Sequence, residues 1–107
     1  MKANDLPEAT PGVSALKRLL ATAQLPTGQS MVVARFLMSL YNGDRFPFDL
    51  TDFRCLDPDI FKDCLSVLVM DHQPKREVHM YFDNGGRVWE AIAGKWGFKD
   101  HDNLTWR

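Results

Sequence analysis

Cys55, Cys64, His72 and His79 are the side chains that could gather a transition metal, with eight, seven and six residues between them in turn. Zinc sites close on short units such as C-x-x-C or H-x-x-x-H, because neighbouring ligands must converge within about 2.3 Å of one ion. No such unit occurs here, so reduced apolar thiols and surface histidines are the expected reading. A nucleophile needs a base within hydrogen-bond reach. Cys64 has only Lys62 and Asp63 beside it, and residues one or two apart on a helix do not face each other. The acidic run Asp49, Asp52, Asp57, Asp59 and Asp63 lacks the spacing of a calcium loop. Asp57 and Asp59 fall in a first helical turn, where the helix dipole favours carboxylates. Asn84-Gly85-Gly86 has neither the preceding strand nor the lysine of a phosphate-binding loop. The expectation is a chain with no catalytic residue, no metal and no cofactor.

Two other constellations concern macromolecules. Residues 44–71 carry seven acids against three bases, whereas residues 72–99 carry five bases against three acids. Those five bases are Lys75, Arg76, Arg87, Lys95 and Lys99. Helices expected at 75–82 and 86–97, joined through two glycines, have the proportions of a helix-turn-helix. Its second helix would present Arg87, Glu90, Ala91 and Lys95. A DNA-binding regulator using residues 75–97 is therefore the alternative reading. The leading one is a non-enzymatic interaction protein that binds a protein partner or a second copy of itself. Twelve aromatics and five methionines are many for one small core, and Tyr, Trp, Met and Arg are enriched at interfaces. Trp89 and Trp96, seven apart, share a helical face and read as core. Trp106 is the better contact candidate.

The elements that must position these residues are helical. The chain has 107 residues, enough for one domain, and 45% hydrophobic with 25% charged residues argues against wholesale disorder. A net charge of −1 argues against a charge-driven nucleic-acid coat protein. No run approaches the ~20 apolar residues of a membrane span. The start, Met1 to Glu8, has no apolar core of a secretory signal, so a cytoplasmic location is expected.

Residues 1–9 read as a lead-in and 99–107 as a polar tail, flanking one domain over 10–98. Thr10-Pro11 is a cap-plus-proline start, after which Val13, Leu16, Leu19, Leu20 and Ala23 recur at helical steps until Pro26 and Gly28. A second helix runs from Gln29 to Tyr41, apolar nearly all round in its first turn and hence central, with Asn42-Gly43 supplying a left-handed end. Phe46 and Phe48 plug core gaps from an extended connector, and 51–56 forms a short turn with Phe53 inward. Asp57-Pro58 starts a third long helix with Phe61, Cys64, Leu65, Leu68 and Val69 inside. Val78, Met80 and Phe82 alternate as a strand would, but Pro74 and Asn84-Gly85-Gly86 bracket a short helix better. The last helix buries Val88, Trp89, Ile92, Ala93 and Trp96 and ends at Gly97, with Phe98 folding back.

The stretch from Leu56-Asp57-Pro58 to Phe98 resembles a small family of uncharacterised bacterial proteins. The likeness is carried by Arg76-Glu77-Val78-His79, by Asn84-Gly85-Gly86-Arg87-Val88-Trp89-Glu90 and by Lys95-Trp96-Gly97. Members are carried on plasmids and integrative conjugative elements. The resemblance implies a cytoplasmic accessory protein of a mobile element and brings no catalytic residues with it. The fold expected is all-α, a bundle of four to five helices ending in a helix-turn-helix-like hairpin. Its core would hold Leu16, Leu20, Phe36, Leu40, Phe61, Leu65, Leu68, Trp89, Ile92 and Trp96.

Overall fold

The computed structural model describes residues 11–101, and every regular element among them is helical. Four α-helices form the body: α1 (Pro11–Ala23), α2 (Gly28–Tyr41), α3 (Pro58–His72) and α4 (Gly85–Trp96). Two 3₁₀ turns, Leu50–Cys55 and Val78–Tyr81, lie between them. The fold is all-α. The lead-in, the Thr10 cap, Leu104 and Trp106 lie outside the described residues.

Each helix buries the stripe its periodicity demands, with one exception. Val13, Leu16, Leu19 and Ala23 of α1 are buried. Thr27 caps α2: its Oγ1 accepts from the Ser30 N–H at 3.0 Å and shares a 2.6 Å hydrogen bond with Ser30 Oγ. Val32, Val33, Ala34, Phe36, Leu37 and Met38 are then buried around most of the helix. That breadth matches its place, since α2 lies against α1, α4 and both 3₁₀ turns. The connector drives Phe46 into the core, while Phe36, Phe48, Phe53 and Phe61 form successive ring contacts with centroids 4.9 to 5.8 Å apart.

The exception is α3. It buries Cys64 and Val67 and packs Ile60, Phe61 and Met70 against the core, while Leu65, Leu68 and Val69 face outward. Apolar residues stand on nearly every side of this helix, so spacing alone permits two rotations. Contact with α1 selects one of them. Arg18 pairs in a fork with Asp63, at 2.9 and 2.8 Å, fixing one flank. Gly12 lets the helices close at the other end, where a Cβ would stand 2.7 Å from Met70 Cβ.

Three local expectations are also corrected. Asn42 is extended (φ −159°) and Gly43 is not left-handed. The chain leaves α2 through the Phe46 N–H to Asn42 carbonyl bond of 2.9 Å. Asp57 precedes Pro58 as expected, but its carboxylate takes the Gln29 side-chain amide at 3.2 Å rather than capping α3. The segment 75–82 contributes only one 3₁₀ turn. Asn84-Gly85-Gly86 does not stop a helix there but starts α4: Asn84 adopts the left-handed conformation (φ 55°) that asparagine tolerates.

α4 is joined to the body by its two tryptophans. Trp89 is fully buried against Phe82, and its indole N–H donates to the Leu37 carbonyl at 3.1 Å. Trp96 donates to the Ala23 carbonyl at 3.0 Å and Lys95 Nζ to the Gln24 carbonyl at 2.6 Å, so the end of α4 satisfies carbonyls at the end of α1. Gly97 is left-handed (φ 66°), and the Phe98 N–H bonds back to the Ala93 carbonyl at 3.0 Å, as the sequence predicted.

Arg45 ties the connector to α4 and to the segment beyond it. Its guanidinium grips Glu90 at 2.7 and 3.0 Å and Asp100 at 2.8 and 3.0 Å, while the Tyr41 hydroxyl donates to Glu90 at 2.6 Å. The His101 N–H adds a 3.0 Å bond to the Arg45 carbonyl, so packing continues past Phe98. The hydrogen bonds from Arg45 and Tyr41 hold the Glu90 carboxyl below its ordinary 4.5. A carboxylate depressed in the folded state stabilises fully above its unfolded pKa and loses that contribution as pH falls through the folded one. The melting temperature should therefore drop below pH 4.5, and Glu90→Gln should show a smaller drop between pH 7 and 3. Equal drops in the two proteins would refute this role for Glu90.

Candidate docking groove

The residues with metal or nucleophile chemistry are not brought together. Cys55 is exposed and Cys64 is fully buried. Burial, with the neighbouring Asp63 charge, pushes the Cys64 thiol up to about 12, the opposite of what an activated nucleophile requires. His72 is exposed, and His79 packs edge-on against Tyr41 with ring centroids 5.0 Å apart. Among the described residues no group of three or more His, Cys, Asp or Glu is placed to hold a metal ion. The acidic run is dispersed: Asp49 caps the first 3₁₀ turn, Asp52 faces Arg35 at 3.8 Å, and Asp57 and Asp63 have the partners given above. One thiol should react with a disulfide reagent in the native protein, and the second only after denaturation. Two fast thiols would refute the burial of Cys64.

The five predicted basic residues are exposed but separated. Lys75 and Arg76 line a groove with Gly12 and Val13, at the beginning of α1. Lys95 is bonded to Gln24, beyond the far end of that helix, some 16 Å along its axis from Val13. Lys99 lines a different groove with Arg35 and Phe98, and Arg87 sits in the first turns of α4. Of the residues expected to read bases, Glu90 is gripped by Arg45 and Lys95 lies over the Trp96 ring, 5.1 Å from its centroid. Trp106 lies outside the described residues.

Two grooves of similar size differ in chemistry. The one beside Trp96 and Phe98, about 420 Å³, mixes Asp49 and Asp52 with Arg35 and Lys99, and Arg35 faces both Asp52 and the Phe98 ring. The other, about 430 Å³, has an apolar lining that includes Pro11, Val13, Val69, Met70 and Tyr81. Lys75 and Arg76 line it too, with Arg76 held 5.1 Å over the Tyr81 ring, and no carboxylate among the described residues does. Val69 also belongs to the outward row of α3, where it is 78% exposed beside Leu65 at 42% and Leu68 at 37%. Val69 is thus common to the groove and the row.

Sequence reasoning placed Leu65, Leu68 and Val69 inside. The competing signal was Ile60, Val67 and Met70 on the opposite side, which could be favoured only by knowing that Asp63 pairs with Arg18. No curated protein and no solved structure matches the chain. One family model does, over residues 13–97, from the first buried valine of α1 to the glycine that ends α4. The chain therefore belongs to a family of unknown function, DUF7673.

Proposed function

We propose that this chain is a non-enzymatic interaction module that binds a protein partner through the outward row of α3 and the groove beside it. The observation that carries the reading is the row itself: Leu65, Leu68 and Val69 stand in solvent on a helix whose other side already fills the core. Full burial of an exposed side chain of this size is worth roughly 1.5–3 kcal/mol, and Val69, at 78% exposed, has most of that still to gain, while Leu65 and Leu68 have less. The thiol buried at Cys64 and the dispersed carboxylates support a non-catalytic role. The DNA-binding reading draws less support, because Lys75 and Arg76 lie by the start of α1, Lys95 beyond its end and Lys99 in another groove, and two positions of its reading helix are engaged within the fold. The mobile-element resemblance adds company to the proposal, an accessory protein acting in the cytoplasm.

Leu65→Glu and Val69→Glu test it against Leu50→Glu, a control at the exposed 3₁₀ turn. All three variants should melt within a few degrees of the parent, since surface changes cost within about 0.5 kcal/mol. In nuclease-treated extracts of the native cell, one protein should be retained by the parent and by Leu50→Glu and lost from the two α3 variants. Retention by all of them refutes the docking face. Recovery that vanishes with nuclease transfers the function to nucleic acid.

A further inference from the structure

We propose, independently of the docking face, that Asn42–Gly43 is a self-modification site: the Gly43 nitrogen attacks the Asn42 side chain, and the isoaspartyl product releases the Arg45 clamp on α4. Asparagine followed by glycine is prone to this chemistry, because no Cβ shields the attacking nitrogen. The chain has two such pairs, Asn42–Gly43 and Asn84–Gly85, and the fold treats them oppositely. Gly43 is exposed, and among the described residues its N–H makes no hydrogen bond. Asn42 is extended (φ −159°, ψ 95°), so the pair lies outside the helical geometry that holds a peptide nitrogen away from the preceding side chain. The Arg45 N–H donates to Asn42 Oδ1 at 3.1 Å, the atom on which negative charge develops as the nitrogen adds to Cγ. Gly85 is the reverse case. Its N–H donates to the Phe82 carbonyl at 3.1 Å, and it is buried in the first turn of α4 with its backbone against that of His79. Attack on Asn84 requires that joint to open first.

The step balances with water alone. A bond forms between the Gly43 nitrogen and Asn42 Cγ, the Cγ–Nδ2 bond breaks, and the amide nitrogen leaves as ammonia with the proton that Gly43 gave up. Water then opens the cyclic imide at either carbonyl. One opening gives aspartate. The other routes the main chain through the former side chain and gives isoaspartate, with one more carbon in the backbone. That carbon falls between α2 and Arg45. The Asn42 N–H bonds to the Met38 carbonyl and the Phe46 N–H to the Asn42 carbonyl, both at 2.9 Å, so the turn is pinned on either side of the insertion. Lengthening it moves the Arg45 guanidinium off Glu90 and Asp100, which it grips at 2.7 to 3.0 Å. The aspartate product keeps the chain length and the acceptor for the Arg45 N–H.

The test incubates the full chain in mildly alkaline buffer, folded and in guanidinium. Isoaspartate is located with an isoaspartyl-specific methyltransferase and peptide mass spectrometry. In the folded protein Asn42 should be modified roughly tenfold or more faster than Asn84, a difference that guanidinium should largely abolish. Gly43→Ala, which shields the nitrogen with a methyl group, should slow modification at Asn42 in the folded and denatured chain alike. The isoaspartyl form, isolated by ion exchange, should melt below both the parent and Asn42→Asp. Modification of Asn84 at an equal or greater rate in the folded protein, or of neither asparagine until denaturant is added, overturns the proposal. An isoaspartyl form that melts with the parent overturns the release of the clamp.

Discussion

Gly85→Ala should lower the melting temperature by roughly 15 °C or more, or prevent folding, whereas Gly86→Ala one residue on should leave it unchanged or raise it. The difference is in what each new methyl meets. A Cβ at Gly85 would fall on the carbonyl oxygen of His79 and stand 2.6 Å from its carbonyl carbon, while one at Gly86 meets nothing within 4 Å. The obstacle at Gly85 is backbone, so no side chain can swing aside. Either the first turn of α4 or the Val78–Tyr81 turn has to move, and both are anchored, by buried Trp89 and buried Val78. Overpacking of this kind costs about 1–3 kcal/mol where neighbours can yield, and more where they cannot. Gly86 lies in the helix without positive φ, so alanine there gains up to about 1 kcal/mol of helix propensity. A Gly85→Ala protein melting within 3 °C of the parent would show that this joint is slack.

The second large effect is at Trp89. Alanine there removes the largest fully buried side chain and should cost about 3–5 kcal/mol, read as a shift of the denaturation midpoint. Phenylalanine separates two contributions, since it keeps the ring contact with Phe82 but loses the N–H that donates to Leu37. Its expected cost is about 1–2 kcal/mol. Equal losses from the two substitutions would mean that the indole hydrogen bond, not volume, holds α4 to α2.

Much of the fold was legible because its signals are local. Pro58 at the start of α3, the Ala93–Phe98 closure at Gly97 and the stripe Trp89, Ile92, Ala93 each follow from chemistry within a few residues. What was not legible depended on contacts far along the chain. The rotation of α3 is set by Arg18, 45 residues from Asp63, and by the fit of Gly12 against Met70. The backbone of His79 in the Val78–Tyr81 turn lies against Gly85, a close approach that no periodicity encodes. Leu65, Leu68 and Val69 were expected inside for the same reason: they are apolar residues that the core did not take. The groove's two cations, Lys75 and Arg76, were identified, but within a nucleic-acid set whose other members the structure places elsewhere.

The indole and ammonium that finish α1 come from positions 96 and 95, separated from their acceptors by 73 and 71 residues. A nascent chain emerging amino end first therefore exposes an opening helix whose last carbonyls wait for groups not yet synthesised. A chain cut just before Gly85 would therefore lose not only α4 but also the donors that finish α1, leaving the Ala23 and Gln24 carbonyls without these partners.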